Sequence, residues 1–232
     1  VFKSLPSFLA PLLAPARRCH ACGKIHPTAA LCTACAATIP QARYSCRQCA
    51  LPLAENARLC GACLSRPPPF EHTQAAGLYA EPVSHWVTAL KYGHTLSYAR
   101  LMAEAMRPGL KALLARQPEA HLLAVPLHRS RLRQRGFNQA QEIARQLARL
   151  ENVPLAPARL VRHKNTARQT TLSKAQRASN VRGAFSCPKG GWPANIILVD
   201  DVMTTGNTLR QCARVLRAAG VKNVQALVFA RA

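Results

Sequence analysis

The chain has 232 residues, and nearly half are apolar, which suits a medium domain with a small companion rather than one minimal module. Its 32 Lys and Arg stand against 9 Asp and Glu, a formal charge of +23. Self-repulsion on that scale points to an anionic partner, with a base-composition bias toward Arg as the plainer alternative.

The chain opens on an apolar run cut by Pro6, Pro11 and Pro15. The run is too short to span a bilayer. Residues 1–18 are therefore expected to form an apolar arm that packs on the protein, and no membrane span is expected.

Eight of the ten cysteines then fall in four C-x-x-C pairs. Cys19, Cys22, Cys32 and Cys35 form one unit; Cys46, Cys49, Cys60 and Cys63 form a second. Four thiolates at about 2.3 Å satisfy a tetrahedral Zn²⁺ and leave no open position, so both sites would be structural. Residues 19–66 are read as a double zinc ribbon, with sequential and interleaved ligand pairing both open. Thiols kept for metal indicate a cytoplasmic protein rather than a disulfide-bonded secreted one. Cys212 is a core candidate, and Cys187 has no evident partner. Pro67, Pro68 and Pro69 make a stiff linker, after which residues 70–232 form the main domain.

Within that domain, His85–Leu90 and Leu96–Leu110 carry helix spacing, and His121–Leu127 reads as a buried strand. Asn138 can cap a helix over Gln139–Leu150. Leu155–Val161 is a weaker strand candidate and Ile196–Val199 a short aliphatic one. Thr208–Ala219 reads as a helix ended by Gly220, and Val224–Ala230 as the next strand. Strands and helices alternating through short joints predict an α/β fold with a parallel sheet flanked by helices.

The most informative stretch is IILVDDVMTTGNT, residues 196–208. A buried strand is expected to end at Asp200 and Asp201, followed by a Thr- and Gly-rich loop and a helix. Ligands of parallel sheets bind at the carboxyl ends of strands. Thr204, Thr205, Asn207 and Thr208 can donate side-chain hydrogen bonds, and Gly206 allows close backbone approach. With the helix N–H groups behind them they make an anion site. Two carboxylates beside an anion make sense if they hold ribose hydroxyls or Mg²⁺.

Two basic stretches complete the candidate site. His128, Arg129, Arg131, Arg133 and Arg135 crowd a loop expected after the strand at 121–127, where they suit a pyrophosphate or a nucleic-acid backbone. Residues 162–185, including Arg162, Thr166 and Gln169, read as an active-site lid or a nucleic-acid-binding segment. Lys91 is either a surface residue at a helix end or a phosphate contact.

Four aliphatics, Asp-Asp, two apolar residues and T-T-G-x-T resemble the PRPP-binding signature of type I phosphoribosyltransferases (PRPP, 5-phosphoribosyl-1-pyrophosphate). That resemblance implies ribose 2′- and 3′-hydroxyls on Asp200 and Asp201 and the 5′-phosphate on Thr204–Thr208. The cysteine pairs, Leu90-Lys91-Tyr92-Gly93, VPLHRSRLRQRGFNQ and the pattern of Arg162, Thr166, Gln169, Leu172 and Ser173 follow in the order of the ComF (GntX-like) family. The chain is similar to that family over nearly its whole length. The resemblance implies a phosphoribosyltransferase domain that takes PRPP with Mg²⁺ and a role in DNA uptake during natural transformation, with DNA-uptake proteins as partners. A non-catalytic module that senses PRPP or a nucleotide and grips single-stranded DNA through the basic loops and zinc ribbons is the alternative.

Overall fold

The computed structural model describes residues 17–26, 30–93, 95–164 and 183–232. Most of the apolar arm, together with Thr166, Gln169, Leu172 and Ser173, lies outside these residues.

The cysteine region contains two small hairpin-and-helix units. In the first, β1 (Arg17–Arg18) pairs antiparallel with β2 (Ile25–His26), and α1 (Thr33–Ala37) follows. In the second, β3 (Tyr44–Ser45) pairs with β4 (Pro52–Leu53) ahead of α2 (Gly61–Ser65). The main domain runs β5 (Thr73–Leu78), α3 (Val83–Tyr92), α4 (Ser97–Leu114), β6 (His121–Ala124), α5 (Arg129–Arg135) and α6 (Gln139–Glu151). It continues with β7 (Val161–Arg162), β8 (Phe185–Ser186), β9 (Asn195–Met203), α7 (Asn207–Ala218) and β10 (Asn223–Arg231).

The central sheet is parallel, in the order β5-β10-β9-β6. Its side chains alternate between two layers, as a pleated strand requires. Ile197, Val199, Leu227 and Phe229 face α3, α4 and α6. Ile196, Leu198, Val224, Ala226 and Val228 face α7, the β7–β8 hairpin and the second cysteine unit. The cysteine units share these cores: Cys19, Leu31 and Ile39 belong to the first, and Cys46, Cys49, Cys60 and Cys63 to the second.

Several expected boundaries move for identifiable reasons. The helix beginning at Ser97 continues past Leu110 to Leu114, through Pro108. Pro108 is exposed, and Met106, Leu110 and Leu113 are buried beneath it, so tertiary burial outweighs the lost hydrogen bond. Gly109 lets this helix lie close on the sheet, since a Cβ there would sit 3.0 Å from Gln74 Cβ and 3.2 Å from Leu227 Cδ1. The strand at 121 ends at Ala124 rather than Leu127. Leu155–Val161 is no strand: Leu155 makes one bridge to Leu122, and Val161 opens the separate β7. The helix after Asn138 is as expected, with the Asn138 Oδ1 accepting from the Ala140 N–H at 3.1 Å. Cys212 is fully buried on α7.

The strand β5 carries no aliphatic run and is absent from the sequence expectation. It is held by pairing with β10 on one side and by the cysteine region on the other. The Leu78 N–H donates to the Pro40 carbonyl at 2.8 Å, and Gln41 Nε2 to the Ala76 carbonyl at 2.7 Å. Gly77 makes room for this approach, because a Cβ there would meet Ile39 Cγ2 at 2.3 Å.

Phe229, fully buried on β10, lies against Trp86 of α3 with ring centroids 6.2 Å apart. Phe229→Ala should cost about 3–5 kcal/mol, the range for emptying a large aromatic site. Urea denaturation of both proteins measures this, and a loss below about 1 kcal/mol would show that the site collapses around the gap.

Candidate functional site

The two carboxylates lie inside β9, which runs on to Met203 instead of ending at Asp200 and Asp201. Pairing with β10 through Arg231 keeps this polar stretch in the sheet. Strand alternation sends the two side chains to different layers. Asp201, 4 % exposed, turns toward α3 and α6, where Lys91 forms an ion pair with it and Gln139 Nε2 donates to its Oδ1 at 3.3 Å. Asp200 lies on the α7 side, within electrostatic reach of Arg162 and Cys212. Its Oδ1 also accepts from the Asp201 N–H at 2.9 Å.

The two acids, still in contact with each other, differ in proton affinity. Burial pushes the Asp200 carboxyl well above the usual carboxylate range, and the negative neighbour Asp201 adds to the shift. Burial acts on Asp201 in the same sense, but the Lys91 ammonium and its hydrogen bond outweigh it and hold Asp201 below that range. Lys91 responds in kind: desolvation lowers its proton affinity, and Asp201 more than restores it.

A second tier holds the first. Arg135 Nη1 donates to Gln139 Oε1 at 2.5 Å, and its guanidinium lies 5.5 Å from the Tyr92 ring centroid. Asn138 caps α6 and also donates from Nδ2 to the Val125 carbonyl at 3.0 Å, fixing the helix start to the end of β6. Gln139, Tyr92 and the capping amide thus act together, although only Asn138 carries a local sequence signal.

The basic stretch at 128–135 is a capped helix rather than a loop. His128 Nδ1 accepts from the Ser130 N–H at 3.2 Å, and Gly136 ends α5 at φ +80°. Helical spacing divides its arginines into two stripes. Arg131 and Arg135 are partly buried, and Arg131 is close enough to Arg162 to repel it. Arg129 and Arg133 are exposed on the other stripe. Arg162 is 9 % exposed at the β7–β8 hairpin, its guanidinium 5.5 Å from the Phe185 ring centroid. Burial, followed by the charge of Arg131, lowers its proton affinity.

After β9, residues 204–208 turn into α7 around a small concavity that they line with Asp200. Gly206 sits at the helix N-cap with φ +72°, and a Cβ there would lie 2.4 Å from Met203 Cε. The positive φ disfavours any side chain here. Thr204, Thr205, Asn207 and Thr208 are all partly open.

The cysteines form two clusters in sequential pairing, Cys19, Cys22, Cys32 and Cys35, and Cys46, Cys49, Cys60 and Cys63. All four sulfurs of each cluster lie within 4.8 Å of one another. A tetrahedron of Zn–S bonds near 2.3 Å has an edge of about 3.8 Å. The Cys22–Cys32 and Cys49–Cys60 sulfur separations are 3.9 and 3.7 Å. Both clusters fit a structural zinc. Their thiols are also electrostatically uneven. Burial raises Cys19 and Cys46, but backbone N–H groups more than offset it and bring them to about 6 and about 7. Such thiolates suit metal ligation.

Residues 9–64 match the family model of a double zinc ribbon domain, and residues 132–232 that of a phosphoribosyl transferase domain. Over 224 residues the chain is 34% identical to competence protein F of Haemophilus influenzae, covering 93% of this chain and 97% of that one. The chain belongs to the ComF family of competence proteins. Other relatives of this ComF chain are the DNA utilization proteins YhgH of Salmonella typhimurium, 31% identical, and Escherichia coli K12, 29% identical. Each alignment covers 87% of this chain and 90% of the relative. Among the described residues no helix is long and apolar enough to cross a membrane.

Elemental analysis of the purified ComF-family chain should find about two zinc ions, and Cys22→Ser and Cys63→Ser should each lower the content to about one. Metal-free protein with its cysteines joined as disulfides would sink the assignment.

Proposed function

We infer that the chain binds PRPP with Mg²⁺ at the carboxyl end of β9 and acts as a phosphoribosyltransferase in, or beside, DNA uptake. The observation that carries this reading is the buried Asp200–Asp201 pair running directly into the Thr204–Thr208 turn at the start of α7. The names of its relatives, competence protein F and DNA utilization protein, support the cellular setting.

In this reading, Thr204–Thr208 hold the 5′-phosphate through backbone N–H groups and hydroxyls. Asp200 and Asp201 accept from the ribose 2′- and 3′-hydroxyls. Their oxygens are hard donors that suit Mg²⁺, and the Thr204 and Thr205 hydroxyls lie nearby in sequence. Bound Mg²⁺ would offset the charge of the pyrophosphate as it departs. An acceptor nucleophile forms a bond to ribose C1 as the C1–O bond to pyrophosphate breaks, and the electron pair leaves with pyrophosphate. The carboxylates steady the positive charge that grows on the ribose. Arg131 and Arg135, on the inner stripe of α5, suit the departing pyrophosphate. Lys91 neutralises Asp201 before ligand arrives and is free to turn to an incoming phosphate once hydroxyls or Mg²⁺ take its place.

Asp200→Asn with Asp201→Asn keeps size and removes charge. Titration calorimetry with Mg²⁺-PRPP should find binding abolished in the double variant, with circular dichroism showing the fold retained. Wild-type affinity should also depend on pH. A proton on Asp200 competes with the ligand, and its pKa is raised, so affinity should climb as pH rises above the ordinary carboxylate range and level off beyond Asp200's own pKa. Wild type binding no better than the double variant at any pH would refute the reading. Pyrophosphate release on adding candidate acceptors then distinguishes an enzyme from a sensor of PRPP or a nucleotide.

The exposed stripe of Arg129 and Arg133 favours a second reading, in which the chain also holds single-stranded DNA through its phosphates. Affinity should then fall with salt, with a log–log slope of roughly −0.7 per phosphate contacted. Binding indifferent to salt, or absent at low salt, would leave the +23 charge as composition bias.

A further inference from the structure

Arg231, the last residue of β10, is 6 % exposed. Among the described residues no Asp or Glu side chain forms an ion pair with it. Its guanidinium is spent on backbone oxygens instead. Nε donates to the carbonyl of Cys49 at 3.0 Å, and Nη1 to that of Met203 at 2.9 Å. Nη1 also reaches main-chain oxygens of Thr204 and Ala232. One planar cation therefore joins a member of the second cysteine cluster to the first two peptides of the turn below the candidate phosphate site.

Peptide planarity gives that link a direction. In a trans peptide the carbonyl and the following N–H point opposite ways. Holding the Thr204 carbonyl toward Arg231, and the Met203 carbonyl toward Arg231 and the Ala232 N–H that donates to it at 3.0 Å, turns the N–H groups of Thr204 and Thr205 away, as an anion cradled by Thr204–Thr208 requires. The cysteine end of the link is set by its own cluster. The Cys46 carbonyl accepts from the Ala50 N–H at 2.7 Å, closing the turn that contains Cys49, and Ala50 itself has φ +54°. A metal gripped by Cys46 and Cys49 would hold that turn in shape. Among the described residues the first cluster has no comparable link: its Leu31 N–H donates to Glu104 Oε2 on α4 at 3.0 Å, on the other layer of the sheet.

We propose that Arg231 is a positioning residue that makes the second zinc centre a structural part of the phosphate cradle, so that zinc in that centre, and not in the first, sets the cradle's readiness for a phosphate. The ligand side of this inference rests on the function inferred above; the mechanical side does not. The side chain aligns donors and touches no substrate. Arg231→Met keeps length and removes every donor. Arg231→Lys keeps the charge, but a single ammonium cannot span Cys49 and the turn together as a planar fork does.

Hydrogen exchange of peptides covering 203–208, measured on the zinc-loaded full chain, tests the mechanical coupling without any ligand. Arg231→Met should raise exchange in these peptides while peptides from α6 keep the wild-type rate and zinc content stays unchanged. Arg231→Lys should behave like Met rather than restore protection. Cys63→Ser should loosen the same peptides, whereas Cys22→Ser should lose one zinc and leave them alone. Calorimetry with Mg²⁺-PRPP, and separately with ribose 5-phosphate, should find both weakened by about ten- to a hundredfold in Arg231→Met, the scale of one lost charge-assisted hydrogen bond. Unchanged exchange in Arg231→Met, protection restored by Lys, or equal loosening by Cys22→Ser and Cys63→Ser would each overturn the proposal. Should Cys63→Ser fail to fold, the two Arg231 variants decide. If exchange follows the expected pattern and wild type binds neither ligand, the coupling stands and the PRPP reading falls.

Discussion

Two adjacent carboxylates on a strand covered on both faces set the terms for this fold. In a medium of low polarity, neighbouring like charges cannot both persist unaided. Alternation along β9 supplies half of the answer by sending Asp201 into one layer and Asp200 into the other. The two layers then treat the acids differently. On the Asp201 side, the end of α3 supplies Lys91 and the first turn of α6 supplies Gln139. On the Asp200 side burial and the Asp201 charge favour the protonated acid, with Arg162 of β7 within electrostatic reach. Asn138 both caps α6 and anchors its start beside β6, next to the Gln139 that meets Asp201. A buried ion pair such as Lys91–Asp201 contributes little to net stability. Its retention fits a site that must hold charge ready for a ligand.

What could be read from the residues follows the range of the forces involved. Short-range signals were legible. Asn138 before an amphipathic run marked α6, Gly220 marked the end of α7, and four C-x-x-C pairs marked the metal ligands. The Asp-Asp and T-T-G-N-T run identified the candidate site because the two acids and the turn that follows them are contiguous in the chain. Long-range interactions were not legible. The sequence Thr73–Leu78 has no strand signature, since its place is secured by β10 and by the Pro40–Gln41 segment. The helix α5 was hidden because its cations drew attention to a ligand, while its caps, His128 and Gly136, are unremarkable alone. The Lys91–Asp201 pair and the bonds of Arg231 join distant parts of the chain, and no spacing rule announces them.

The two cysteine units play unlike structural parts despite their similar sequences. The first leans on α4 and joins the layer that supports Asp201. The second lies against α7 and shares a core with Leu209, Cys212 and Leu216. The chain leaving it is fastened to the same helix, where Arg210 donates to the Arg66 carbonyl at 3.1 Å and Arg217 pairs with Glu71 at 2.7 Å. Metal binding therefore adds folding free energy to the main domain as well as to the cysteine segment.

The segment at Pro40–Gln41 lies along the outer side of β5, and that position bears on how the protein behaves while it is being made. A parallel sheet with a bare margin offers unpaired backbone groups to any extended chain that passes. Here the margin is sealed by the Pro40 carbonyl and the Gln41 amide, at the close approach that Gly77 permits. A main domain severed from its cysteine units would expose this margin and invite strand addition from other copies. The cysteine region would thus guard this edge against aggregation. Its strength would track the supply of zinc, so starvation for the metal should surface first as insoluble protein.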